Sequence, residues 1–177
     1  AQKLALSIPH LVINQLCGFI VFYLLAAQLA QNDFGLLNFV LAFLLVAFQL
    51  LPLGMDQLAI RKVAEGSNHA KQVLSVYLTH VLVTGSFFYV IVFLGCAFFI
   101  PPQHTHLYWL FLIIGFGKLM IYFSTPFKQV TTGLERFRLL AGMLVISNLI
   151  RAAGFIILAW LELITVKHTA LLFALAD

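Results

Sequence analysis

The sequence has 177 residues, of which 63% are hydrophobic and only 9% are charged. A soluble domain of this size carries about 25% charged residues, so this composition excludes an ordinary soluble protein. The formal net charge of +4 is small and its basic residues are scattered, so no nucleic-acid partner is expected. Apolar runs of about 18 or more residues recur, each long enough to cross a bilayer as a helix. The chain is therefore predicted to be an all-α polytopic membrane protein.

The apolar runs predict five complete membrane spans and the start of a sixth. Their cores are residues 11–30, 34–53, 73–100, 107–127 and 139–163, and the sixth begins near Thr169. A second helix that continued past Pro52 to about Glu65 would measure about 45 Å and project beyond the bilayer core. Because the chain starts without methionine and stops in a new apolar stretch, we expect it to be the N-terminal portion of a longer protein.

The segments between the spans alternate in charge. Residues 31–35 and 101–106 contain no Lys or Arg, whereas residues 61–71 and 128–138 contain three each, and Lys3 precedes the first span. Basic residues near span ends mark the cytoplasmic side of a membrane protein. The N-terminus is therefore predicted to lie in the cytoplasm, with the second and fourth spans ending there as well.

Two cations interrupt the apolar runs at the same predicted depth. Lys118 lies eleven residues from the outer start of span four, or about 16 Å down, and Arg151 lies twelve residues from the inner start of span five, or about 18 Å up. A cation at the midplane costs at least about 2.5–3.5 kcal/mol on insertion scales. The two charges could pair with acids on other helices, line a hydrated cavity for an anionic substrate, or belong to another arrangement. We favour the cavity, because small residues flank both positions.

Other polar residues are weaker candidates. Arg61 ends span two, where the positive-inside rule alone accounts for it, and it can pair with Glu65 four residues later. Four further residues are candidates for a polar cavity lining, or for hydrogen bonds between helices: Asn14, Gln15, Asn148 and Asp56. No metal, cofactor or catalytic motif is found in the sequence. We therefore expect no cofactor and no enzymatic activity.

Two segments resemble the polysaccharide transporters of the O-antigen flippase type. In residues 22–66 the resemblance rests on two motifs. The first is a turn after the first helix, with Leu29, Ala30, Phe34 and Gly35, and the second is the end of the second helix, with Leu53, Gly54 and Arg61. Ala30 stands where that family has glycine or a polar residue. Residues 125–143 are similar to the family's connection between the fourth and fifth helices, with "GLER" at Gly133 to Arg136.

The resemblance implies an architecture and a function. The family belongs to the multidrug/oligosaccharidyl-lipid/polysaccharide exporter superfamily, which implies two bundles of six helices around a central cavity that opens alternately to each side. The implied substrate is a polyprenyl-pyrophosphate-linked oligosaccharide, moved to the outer leaflet of the bacterial cytoplasmic membrane. Polysaccharide polymerase and assembly proteins are the implied partners, beside membrane lipids. By residue type and depth, Lys118 and Arg151 match the family's cavity cations, and Arg61 matches the basic end of its second helix.

Three alternatives remain open from the sequence. A cation-coupled multidrug exporter of the same superfamily would favour a buried acid, whereas these spans carry cations at the midplane. A membrane enzyme acting on a lipid-linked sugar would require acidic or histidine clusters beyond Asp177. A scaffold subunit without transport activity would use Lys118 and Arg151 for assembly alone.

Overall fold

The computed structural model describes residues 2–101, 105–161 and 164–176. Within these ranges the chain is helical and contains no strand. Besides a single 3₁₀ turn at Ser67–His69, the described elements are α1 (Gln2–Gln28), α2 (Gln31–Leu50), α3 (Met55–Glu65), α4 (Ala70–Phe99), α5 (Thr105–Gly133), α6 (Phe137–Trp160) and α7 (Val166–Ala176). The all-α prediction is therefore confirmed for the described part of the chain.

Within the described ranges, four helices are long and apolar enough to cross a membrane: Gln31–Leu50, Ala70–Phe99, Thr105–Gly133 and Leu139–Trp160. They coincide with the second to fifth predicted spans. The first predicted span falls on α1, where the apolar helical segment Gln15–Gln28 is shorter. The sixth begins at Val166, three residues before the predicted start. Residues 162 and 163, at the end of the fifth predicted core, lie outside the described residues.

The helices expose apolar side chains on one face and bury them on the other. In α2 the buried residues recur every three or four positions, at Leu37, Val40, Leu44 and Phe48, while Phe39 and Phe43 beside them are at least half exposed. A helix that is apolar all round is typical of a membrane span, where lipid replaces water around the outer face.

The chain breaks its helix between α2 and α3, so the second helix does not continue past Pro52 to Glu65, the case that the sequence left open. Helix α2 ends at Leu50, and a turn follows in which Leu53 has φ +48° and Gly54 has φ +85°. The backbone N–H of Met55 donates to the carbonyl of Pro52 at 2.8 Å and closes this turn. The left-handed region opposes continuation of a right-handed helix, so α3 starts in a new direction.

Helix α5 is the centre of the bundle, because it contacts α2, α3, α4, α6 and α7. Glycines allow several of these close approaches. A Cβ atom at Gly85 of α4 would lie 2.9 Å from the ring of Tyr122, and one at Gly133 would lie 2.8 Å from Cβ of Val63 in α3. The remaining large contact joins α1 to α6, so α1 packs at the side of the bundle away from α4.

Candidate functional site

Lys118 lies in the middle of α5, on a face that packs into the bundle. It is half-buried, and the residues four positions before and after it, Ile114 and Tyr122, are both buried. The hydroxyl of Tyr122 lies 3.0 Å from Oγ1 of Thr84 on α4. Lys118 therefore shares its helical face with core residues, as expected for a cation that does not face lipid.

Arg151 lies on the inward side of α6. Large exposed residues mark the lipid-facing side of this helix, among them Ile146, Ile150 and Ile157. Arg151 and the fully buried Phe155 share the other side. The guanidinium of Arg151 donates a hydrogen bond to the side-chain oxygen of Asn148, one turn earlier. The predicted polar residue Asn148 thus acts directly on one of the two predicted cations, by orienting its side chain.

Helix α7 links the positions of the two cations. A Cβ atom at Gly117 would lie 2.5 Å from Cα of Ala174, and one at Gly154 would lie 2.8 Å from a methyl carbon of Leu172. Ala174 and Leu172 are separated by about 3 Å along α7. Lys118 follows Gly117 directly, and Arg151 lies one turn before Gly154 on the antiparallel helix. The two cations therefore lie at one level of the bundle, to within about one helical turn.

The other predicted site residues lie elsewhere. Arg61 pairs with Glu65 at 3.0 Å on α3, where the Arg61 side chain is 84% exposed. Asp56, at the start of the same helix, accepts a hydrogen bond from the hydroxyl of Tyr77 on α4. Gln15 is exposed on α1, and the side chain of Asn14 lies outside the described part of the structure. Arg61 and Asp56 therefore lie on a helix that makes no contact with α7 among the described residues.

A second group of polar residues lies inside the bundle around the predicted Asp56, and sequence reasoning missed its members Tyr77, Thr84 and Tyr122. Tyr77 is fully buried beside Asp56, and Thr84 contacts Tyr122 two turns further along α4. Between them, the imidazole of His80 lies 6.5 Å from the ring of Tyr77, and its buried Nε2 has no hydrogen-bond partner among the described residues. The spacing of Tyr77, Val81 and Gly85 on one buried face of α4 is the sequence signal for the first of these residues.

The arrangement provides binding groups for an anion. A lysine ammonium and an oriented arginine guanidinium both stabilise phosphate, the arginine through two parallel hydrogen bonds. Among the residues that the structure describes, no group of three or more His, Cys, Asp or Glu side chains is placed to hold a metal ion. The free cysteines Cys17 and Cys96 are buried.

Comparison with curated proteins and with solved structures gave no significant match. The family model described as polysaccharide biosynthesis protein matches residues 2–176. Together with the apolar spanning helices, this match supports a multi-pass membrane protein with a role in the synthesis and transport of polysaccharide. Because the match covers nearly the whole chain, the chain belongs to the polysaccharide biosynthesis protein family, the family of the O-antigen flippases that its motifs resemble.

Proposed function

We propose that the protein is a flippase, which moves a polyprenyl-pyrophosphate-linked oligosaccharide from the cytoplasmic to the outer leaflet. The observation that carries the proposal is the common level of Lys118 and Arg151 on two helices that α7 holds together through Gly117 and Gly154. A pyrophosphate group has several charged oxygens, and it must lose water to cross the hydrocarbon layer. Two cations at one level near the bilayer midplane offset the free-energy cost of this dehydration where that cost is greatest.

Lys118 and Arg151 would contribute differently to binding. The guanidinium is planar and can hold two phosphate oxygens at once, and its bond to Asn148 limits its orientations before the substrate arrives. The ammonium of Lys118 acts as a point charge that needs no fixed direction. Such a pair holds a diphosphate without covalent chemistry, so the proposed activity is transport, with no cofactor and no catalytic residue.

The proposal includes an orientation and a larger architecture. Charge alternation supports an N-terminus in the cytoplasm, and the family supports a bacterial cytoplasmic membrane with a second bundle that completes the cavity. Arg61, exposed on α3 at the predicted cytoplasmic end, would attract the anionic substrate before it reaches Lys118. Asn14, Gln15 and Asp56 are proposed as polar groups near this path. A polysaccharide polymerase would receive the product.

The test replaces the cations by neutral residues of similar length in a cell that lacks its own flippase. Lys118→Gln and Arg151→Gln each remove charged hydrogen bonds worth about 1.5–3 kcal/mol, so each is expected to lower transport about tenfold or more. Surface polysaccharide should fall and precursor should accumulate in the cytoplasmic leaflet. Matched controls are Lys62→Gln and Arg136→Gln, which neutralise exposed cations of the same type.

Membrane levels of each variant are measured in parallel. Normal surface polysaccharide in the double variant Lys118→Gln/Arg151→Gln, at normal protein level, would refute the assignment of both cations. If the Lys62 and Arg136 controls lose as much surface polysaccharide as the Lys118 and Arg151 variants, transport depends on the net charge of the protein and not on the position of the cations. The further variant Arg151→Lys keeps the charge and removes the two-bond geometry, so partial transport is expected from it.

A further inference from the structure

A cavity of about 640 Å³ opens at the end of the bundle where α1 ends and α2, α5 and α7 begin. We call it the terminal cavity. Its floor is apolar and includes Leu36, Leu110, Ile113 and Ile164. Its charged, imidazole and amide-bearing groups come from four helices, at Gln28 of α1, Asp33 of α2, His106 of α5 and Lys167 of α7. The volume lies within the range of about 300–1,000 Å³ that is typical of small-molecule sites.

A second cavity adjoins the first along α5. This apolar groove has a volume of about 410 Å³, and it shares Trp109 and Ile113 with the terminal cavity. Its other walls are Tyr89, Leu112, Phe116, Leu171 and Ala174. From Trp109 to Phe116 it extends along α5 for about 10 Å. Trp109, Phe116 and Leu171 are each about half exposed, so the groove lies on the side of the bundle that faces lipid.

The polar rim of the terminal cavity carries both signs of charge. Asp33 and Lys167 both line it, and in the part of the chain that the structure describes neither forms an ion pair. His106 adds an imidazole on the same rim. An anionic head group would meet repulsion from Asp33, and a cationic one would meet repulsion from Lys167. A ligand with one charge of each sign satisfies both residues.

We infer that the terminal cavity and the apolar groove together bind one zwitterionic phospholipid with a phosphoethanolamine head group. Its ammonium lies at Asp33, its phosphate at Lys167 and His106, and one acyl chain follows the groove towards Phe116. The connected shape supports this occupant, since a cavity with a charged rim that continues into an apolar groove fits an amphiphile. Trp109, at the junction, is the residue type that membrane proteins place at the level of lipid head groups. Under the orientation predicted from charge, this lipid belongs to the outer leaflet.

The inference is independent of the proposed transport function, and it can be tested without a transport assay. The sequence contains two tryptophans, Trp109 and Trp160, and Trp160 lies 83% exposed on α6. The variant Trp160→Phe leaves Trp109 as the reporter of the groove. It is reconstituted in bilayers of equal parts phosphatidylethanolamine and phosphatidylglycerol. Two samples are compared, with bromine on the acyl chains of only one of the two lipids in each. Bromine quenches the fluorescence of an indole ring on contact.

Brominated phosphatidylethanolamine is expected to quench Trp109 about two- to fivefold more effectively than brominated phosphatidylglycerol. This ratio corresponds to the binding free energy that one exposed ion pair contributes. In the control Trp109→Phe, the remaining Trp160 should be quenched equally by both lipids. Asp33→Asn should abolish the preference, because it removes the partner of the ammonium. Asn32→Ala, a change at the exposed neighbour that does not line the cavity, should leave the preference intact.

Three results would overturn the inference. Equal quenching of Trp109 by both brominated lipids would show only contact with bulk lipid. Stronger quenching by phosphatidylglycerol would show an anion site. Relief of the quenching by added polyprenyl phosphate, at a concentration that leaves Trp160 unaffected, would assign the groove to the isoprenoid chain of a lipid-linked substrate instead.

Discussion

The contact between Gly117 and α7 gives the sharpest test of how the bundle holds its cations. In Gly117→Ala, the new Cβ atom would lie 2.5 Å from Cα and 3.3 Å from the carbonyl oxygen of Ala174. Ordinary contact begins at 3.4 Å, so α7 must move away from α5 by about 0.9 Å, the difference between those distances (3.4 minus 2.5). The obstacle is backbone, so no side chain can rotate to relieve it.

Two other glycines separate this contact from the general effect of alanine. A Cβ atom at Gly154 would meet only the flexible end of Leu172, and one at Gly142 would meet nothing within 4 Å. Alanine favours a helix over glycine by about 1 kcal/mol at every such position. Overpacking costs about 1–3 kcal/mol. Gly117→Ala should therefore be less stable than Gly142→Ala by about 1–3 kcal/mol, with Gly154→Ala between the two.

The free energy of unfolding is measured in mixed micelles by titration with SDS, followed by circular dichroism. If Gly117→Ala is as stable as Gly142→Ala, the close contact between α5 and α7 is refuted. Loss of stability in all three variants to the same extent would also refute it, because only the neighbours of the new methyl group differ among them.

Two further predictions concern α3 and the turn before it, and both use the same unfolding titration. Asp56→Ala leaves the hydroxyl of the fully buried Tyr77 without its acceptor, so it should lower the free energy of unfolding by about 1–3 kcal/mol. Tyr77→Phe should lower it by less, because it leaves a half-buried carboxylate that is able to reach water. Equal losses of stability in the two variants would contradict this reasoning. Gly54→Ala places a Cβ atom at φ +85° and should cost about 1–2 kcal/mol, whereas Gly35→Ala, in open helical surroundings, should be neutral or stabilising.

The sequence predicts the long helices well because length and apolar composition decide them. It does not distinguish the two prolines near the ends of apolar runs. Pro52 is followed by a left-handed Leu53–Gly54 pair and a break, whereas Pro126 lies inside α5, which continues to Gly133. A glycine two residues after Pro52 permits the left-handed turn, and no glycine lies that close after Pro126.

The candidate site is predictable only where counting along one helix is enough. Depth counts bring Lys118 and Arg151 to a common level, and the contacts of α7 support that level independently. The pairs Asp56–Tyr77 and Thr84–Tyr122 join residues 21 and 38 positions apart. Such pairs depend on which faces of two helices meet, and apolar runs without a strong polar face do not specify this. The terminal cavity is likewise formed by four helix ends that only tertiary packing brings together.

Helix α7 connects the two proposed sites. It has 11 residues, with Lys167 at its start in the terminal cavity and Leu172 and Ala174 against the helices that carry the cations. About 8 Å along the helix axis separates Lys167 from Leu172. A short helix moves as one unit, so the displacement forced by Gly117→Ala must reach both sites. Asp33→Asn changes the lipid site without touching that contact. Loss of lipid preference in both variants, with impaired transport only in Gly117→Ala, would therefore separate the function of the lipid from the function of the cation pair.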